Sequence, residues 1–435
     1  ISGAGRIDGF QVGDQRQNVN FSHDVLADQK AQSLTVRSLS LSSDVFSTDI
    51  SGTVSDHLGE CVLDLAGSYQ GDWDKLLAVV HGISPDSKDL VSISGKTSGN
   101  ISMKGPVRGR NVRPQFAGLV AVVPVGWQNA EVMGLKLSAG KISPTLDGGV
   151  VRIPETEVPA GTGKVRLVGA VDLTQDHPSY VLSNPVVLLD NLPVTAQLSR
   201  ELLSRFNPVF ADLTTVSGTV SLSVDDLLLP LDQTIRQSGR GSGHLDLSQL
   251  QARPEGLLAE LLRLAGGSDM QQRQMEVRGV DFQIRNGRIH YDKFALVFSE
   301  ELDLQFNGSV GFDDTLDLAV SVPISLGVLE KLGVGGPLAD YTRVLAGTRI
   351  AIPVAGTRLR PSLDFSGVGV AEVVRRAVKL LLTEKAGDIL GDVLKDQTTA
   401  PDTELPKQSP ADSNKNEDIE VLLDSLLDVI RDKDK

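Results

Sequence analysis

Val280-Asp281-Phe282-Gln283-Ile284-Arg285-Asn286-Gly287-Arg288-Ile289-His290-Tyr291 is the stretch that decides how this chain is read. Its alternation places Val280, Phe282 and Ile284 on one face of a strand and Asp281, Gln283 and Arg285 on the other. Asn-Gly is the dipeptide best suited to the two positive φ angles of a type I′ turn. With that turn Ile284 falls opposite Ile289 and Phe282 opposite Tyr291, so both strands turn the same face inward.

The pattern continues outward from this hairpin. Leu302, Leu304, Phe306, Val310 and Phe312 share one parity, with Gly308 at the skipped position, which predicts a single long bent strand and no turn at Asn307-Gly308. The return strand carries Leu316, Leu318, Val320 and Val322. A two-residue turn at Asp313-Asp314 would set Val310 against Asp317. A three-residue loop through Thr315 pairs Phe312 with Leu316 and Val310 with Leu318, and that loop is the expectation. After a loop and a short helix, Ile350, Ile352 and Val354 form another strand. Pro323 and Pro353 have no N–H to give to a ladder and are expected at a strand end or sheet edge.

These residues resemble the C-terminal region of the AsmA family. The resemblance is carried by Asn286-Gly287-Arg288-Ile289, Phe306-Asn307-Gly308-Ser309-Val310, Leu316-Asp317-Leu318 and Ile352-Pro353-Val354-Ala355-Gly356-Thr357 with Pro361. It covers residues 195–365 and extends to the first half only in style. What it implies is a mainly β fold: a long twisted antiparallel sheet curled into an apolar groove, similar in architecture to bridge-like lipid-transfer proteins. It further implies a periplasmic protein held by an inner-membrane anchor in a diderm bacterium, with no catalytic residue and no cofactor.

The function expected on this basis is non-enzymatic carriage or bridging of phospholipid between inner and outer membrane. Two acyl chains of about 16 carbons lose roughly 25 kcal/mol of shelter in water, at about 0.8 kcal/mol per methylene, so the path must be apolar almost without a gap. The groove candidates are Phe282, Ile284, Ile289, Tyr291, Leu302, Leu304, Phe306, Val310, Phe312, Leu316, Leu318 and Val320. If they line an open groove, Asp at Phe306 or Leu318 blocks transfer and leaves the fold intact. The alternative is a scaffold or assembly factor for outer-membrane proteins, acting through exposed strand edges.

Composition bounds these readings. Of the 435 residues 23% are charged and 40% hydrophobic, the balance of a chain that folds around a core. A net charge of −14 and an aromatic content of 4% offer neither the cationic stripe nor the stacking surface that nucleic acid requires. Cys61 is the single cysteine, which excludes an intrachain disulfide; it is expected as a small buried residue in a strand. No run reaches the roughly 18 apolar residues of a spanning helix. The best, 117–127, is short and contains Pro124, so any anchor is expected upstream of Ile1.

Residues 1–194 read as the N-terminal part of the elongated sheet, with strands at 34–36, 39–41, 50–54, 61–65, 91–93, 101–103, 116–125, 135–137, 150–153 and 165–171. Asp72 caps a short helix over 72–80. Residues 195–365 form the AsmA-like region. Within it Thr195 caps a helix with Leu198, Leu202, Leu203 and Phe206 at helical spacing, and a second helix covers 254–264 with Pro254 in its first turn. Both helices are read as plugs on an open end or face of the sheet. Residues 366–396 predict an amphipathic helix whose Arg375, Arg376 and Lys379 form a solvated patch, 397–416 a disordered linker, and 417–435 a short acidic amphipathic helix suited to a protein partner or to the sheet itself.

Familiar chemical motifs fail on inspection. Gly367-Val368-Gly369 is followed by Glu372 where a dinucleotide fingerprint needs glycine, and Glu417 replaces the glycine of a calcium loop begun at Asp412. Gly239-Arg240-Gly241-Ser242-Gly243 lacks the P-loop lysine. His23, His57, His81, His177, His244 and His290 show no ligand spacing.

Overall fold

The computed structural model describes residues 1–12, 15–83, 91–107, 118–266, 273–300, 302–333, 348–366 and 368. The helices expected over 366–396 and 417–435 and the linker between them lie outside the described residues.

The chain is mainly β and is built on one sheet of 20 strands. Every pairing in it is antiparallel, and nearly every strand pairs with its neighbour in sequence. The series opens with Ser2–Val12, Gln15–Asp28, Ser33–Ser42, Phe46–Ser55 and Val62–Asp72 and closes with Leu316–Pro323, Arg349–Thr357 and Arg360–Leu363. Two strands, Ser179–Leu182 and Val186–Pro193, lie end to end in one position between Gly163–Asp172 and Val216–Pro230. The strand expected over 116–125 is two short ones, Val120–Val122 and Val125–Trp127, interrupted at Pro124. Val125–Trp127 pairs with Gly140–Ile142, and Asn129–Val132 sits between Val91–Ser94 and Leu135–Leu137. They make two small sheets, of three and two strands, built from insertions at two places in the main sheet's strand order.

The Asn286-Gly287 hairpin has the predicted register, with Phe282 opposite Tyr291 and Ile284 opposite Ile289. The turn residues take φ +51° and +67°, the type I′ combination. The following hairpin also has a three-residue loop, but one position earlier than expected: Phe312-Asp313-Asp314, closed by Gly311 N–H donating to Thr315 O at 2.8 Å. Val310 therefore faces Leu316, and Gly308 faces Leu318. Asp314 takes φ +65°, a conformation Asp tolerates. Asp313 accepts from both the N–H and the hydroxyl of Thr315, at 3.1 and 2.6 Å. The shift is two residues in total pairing, so the inward face is preserved.

Gly308 lies inside Asp303–Gly311, as predicted, at φ +125°. A Cβ there would stand 2.1 Å from the carbonyl oxygen of Asp317, so the neighbouring backbone excludes any other residue. Pro323 ends its strand. Pro353 is mid-strand; its carbonyl accepts from Asp364 N–H at 2.9 Å, which places its missing donor on the side of the last strand, where pairing runs out. Cys61 departs from expectation: it is half-buried, at φ +51°, in the turn ahead of Val62–Asp72.

Thr195 caps its helix as predicted, accepting from Leu198 N–H at 3.1 Å, and the helix runs through a π-helical turn, Ser199–Leu203. The second begins at Gly256, beyond Pro254, and Glu255 turns its carboxylate to the Thr214 hydroxyl at 2.8 Å. With Leu326–Lys331 these insertions form a helical layer on one face of the C-terminal strands. Leu198, Leu203, Phe210, Leu258, Leu261 and Leu262 are at most 1% exposed in the resulting core. Phe206 meets Phe282 edge-on at 5.1 Å, and Phe210 meets Phe294 at 6.0 Å. Both helices plug a face of the sheet, as the sequence suggested.

Candidate functional site

The twelve groove candidates do come together, but as a closed core. Phe282, Ile284, Ile289, Tyr291, Leu304, Phe306, Val310, Leu318 and Val320 are 0–8% exposed, and Leu302, Phe312 and Leu316 pack half-buried against the same cluster. Helical insertions before and after these strands, at 196–210, Gly256–Leu264 and Leu326–Lys331, fold back over the side chains. An Asp at Phe306 or Leu318 is thus a charge in a dry core, contrary to the expectation of an intact fold.

One member of that core is imperfectly satisfied. Tyr291 hydroxyl is buried without a hydrogen-bond partner, and burial pushes its phenol well above the ordinary range. Replacing it by phenylalanine removes an unsatisfied group and keeps the ring contact with Phe294 at 5.3 Å. Tyr291→Phe is expected to raise stability by about 1 kcal/mol, read from the denaturation midpoint.

Among the described residues, the same side of the sheet carries no helical layer over its N-terminal half except at one end, where the helix Trp73–Ile83 packs. One row across the strands runs Val25, Val36, Gly52, Leu65, Met103 and Ala121, each directly opposite the next. It continues through Leu146, Val151 and Val171. Val151 and Val171 share their strands with Val158 and Val165, which belong to the sealed core. A parallel row is His23, Leu39, Ile50, Gly67 and Ile101; outside these lie Phe21-Leu41-Thr48-Tyr69 toward one end of the strands and Ala27-Leu34-Val54-Leu63 toward the other. These rows contain no Asp, Glu, Lys or Arg.

Phe21, Val25, Leu39, Leu41, Ile50, Val54, Leu63, Leu65, Ile101 and Met103 are all half-buried, while Val36 and Ala121 in the same row are buried, and no second layer covers them among the described residues. The reverse side carries rows such as Ser22-Ser40-Asp49-Ser68-Asn100 and is hydrated. Sequence alternation identified these strands but not their openness. A readable signal was connection length: the turns at 29–32, 43–45 and 56–61 are too short to hold a covering layer, whereas three of the connections in the C-terminal half hold helices.

Other polar clusters are structural. Gly241 and Gly243 are ladder residues opposite Ile284 and Phe282, which removes them from any phosphate loop. His177 Nδ1 lies 2.6 Å from Asp232, and His244 Nδ1 lies 2.7 Å from Asp281. The Thr234 hydroxyl and His177 hold the Asp232 carboxyl down to about 2. Among the described residues no cluster of His, Cys, Asp or Glu could hold a metal, and no helix is long and apolar enough to cross a membrane. A cleft of about 500 Å³ lined by Gln197, Arg200, Glu201, Asp212, Thr214 and Leu359 belongs to the helical layer, away from the open rows. No protein-family model, curated protein or solved structure matches the chain.

Proposed function

We propose that this protein carries phospholipid acyl chains on the open apolar face of its N-terminal strands, within a bacterial cell envelope as the resemblance to the AsmA family implies. The observation that carries the reading is a set of mainly apolar rows, free of Asp, Glu, Lys and Arg, on the half of a sheet face over which no helical layer lies among the described residues. Hydrocarbon needs no hydrogen bonds, and this face offers few. Where polypeptide covers the same face, a polar group ties the layers together: Arg358 donates to Ser204 Oγ at 2.6 Å. A bare apolar area of this extent marks a binding surface for an apolar partner.

A second reading has its own observation. Among the described residues Ser2–Val12 pairs on one side only, with Gln15–Asp28, and it contains neither proline nor lysine to blunt its outer edge. Such an edge suits strand addition by an outer-membrane protein client.

A photo-crosslinking residue at Leu65, in protein purified without detergent and analysed by native mass spectrometry, separates the possibilities. Phospholipid adducts, with co-purified phospholipid on the intact protein, are the expected result. Client polypeptide adducts would favour the scaffold, and adducts to residues 370–430 of this chain would make the face a seat for its own tail; either outcome sinks lipid carriage.

A further inference from the structure

The two ends of the open face differ in a way that fixes how an acyl chain lies on it. One end is walled. The helix Trp73–Ile83 touches Ser2–Val12, Gln15–Asp28 and Val62–Asp72 at this end. Leu76 stands over Gly71, 2.8 Å from where a Cβ would be, and the ring of Pro124 covers Gly99 at 3.1 Å. Trp73 indole N–H donates to Gly126 O at 2.6 Å, Gly126 N–H to Thr97 Oγ1 at 3.1 Å, and Tyr69 hydroxyl to Pro124 O. Thr48 donates to Ser68 O at 3.0 Å. These polar atoms bond to one another or to backbone, and Thr97 and Thr48 are only 3% and 8% exposed. The wall is dry, and it has little to offer a phosphate or an amine.

The opposite end is wet. Beyond Ala27, Leu34, Val54 and Leu63 the strands give way to exposed turns in which Asp28 caps Lys30 and Ala31 N–H at 2.9 and 3.0 Å, and Asp56 accepts from Glu60 N–H at 2.7 Å. Water is present here to solvate a headgroup. From Tyr69 at the wall to Leu63 at the mouth is six residues of one strand, roughly 20 Å at about 3.3 Å per residue. One leaflet of a bilayer core is about 15 Å deep. Five strands side by side make the face roughly 20 Å wide, room for the chains of a two-tailed lipid.

We infer that the lipid lies along the strands with its terminal methyl groups against the Trp73–Tyr69–Pro124 wall and its headgroup at the Asp28–Asp56 mouth, so that the face measures acyl-chain length. The inference rests on the lipid carriage proposed above. Movement between these strands keeps the headgroup in water, because the exposed turns at 29–32 and 56–61 lie side by side along the mouth.

The test uses delipidated full-length protein and saturated phosphatidylcholines with chains of 10 to 20 carbons, competed pairwise and read by native mass spectrometry; these lengths follow the roughly 20 Å depth. Occupancy is expected to rise with chain length to about 16 carbons and to fall beyond it. Ile50→Trp and Ile101→Trp, one row from the wall, should each shift the optimum shorter by about four carbons, the length of one to two strand residues. Val54→Trp, at the mouth, should leave the optimum where it is. Binding that ignores chain length, or an equal shift from Val54→Trp, overturns the measured orientation but not lipid carriage. Absence of bound phosphatidylcholine at every length overturns both.

Discussion

Leu65→Asp is expected to yield a folded protein that has lost its phospholipid, and Phe306→Asp a protein that does not fold. Both residues point to the same side of one sheet. Leu65 is half-buried under nothing but its neighbours, so a carboxylate there stays in water while the face is empty and should change stability by less than about 1 kcal/mol. Covering that carboxylate with hydrocarbon costs several kcal/mol, and 1.4 kcal/mol is already tenfold, so co-purified lipid should fall at least tenfold. Phe306 is 0% exposed beneath the helical layer. Removing its ring costs about 3–5 kcal/mol, and burying a charge in its place costs more, which together consume most of the stability of an ordinary domain. Thermal unfolding followed by circular dichroism, with lipid quantified by mass spectrometry, reads both outcomes. A soluble Phe306→Asp protein with a native melting profile would mean that the helical layer is not seated as described.

Arg358→Ala should loosen that layer selectively. Arg358 is 6% exposed and reaches from the last hairpin of the sheet to the first helical insertion. Its Nε donates to Asp314 at 2.6 Å, and its Nη1 donates to both Ser204 Oγ at 2.6 Å and Arg200 O at 3.2 Å. Breaking a buried pair by deleting one partner costs about 3–5 kcal/mol. Two features reduce that here: the Asp314 side chain is 40% exposed and can be resolvated, and buried Arg205, whose pKa is lowered first by desolvation and then by Arg358, loses a like-charged neighbour. The net loss is expected to be about 2 kcal/mol, seen as faster hydrogen exchange across residues 196–206. Arg358→Lys should not restore protection, because an ammonium cannot span the same fork of acceptors. Unchanged exchange in Arg358→Ala would remove the staple from the account.

Alternation made most of the sheet legible before any coordinates. Asn286-Gly287 fixed its own turn and register because both residues tolerate positive φ, and the parity of Leu302 through Val322 was right even where the loop slid by one position. That slide was hidden because Asp314 and Thr315 compete for the end of the loop, and the hydrogen bonds that Thr315 donates to Asp313 favour the earlier position. Parity also has a limit of principle. It says which side chains share a face but nothing about what lies above them, so Phe306 and Leu65 look equivalent in sequence. The difference resides in more distant connections: three of those in the C-terminal half hold helices that fold over the face, and the turns at 29–32, 43–45 and 56–61 hold none.

A sheet in which almost every ribbon hydrogen-bonds to the one made just before it has low contact order along its whole length. It can zip up vectorially as the polypeptide emerges, and it behaves as a one-dimensional stack in which each added hairpin contributes its own increment of stability. Whole hairpins could therefore be inserted or lost in the bare half without disturbing the registers on either side. Such changes would alter the reach of the protein while leaving its cross-section unchanged.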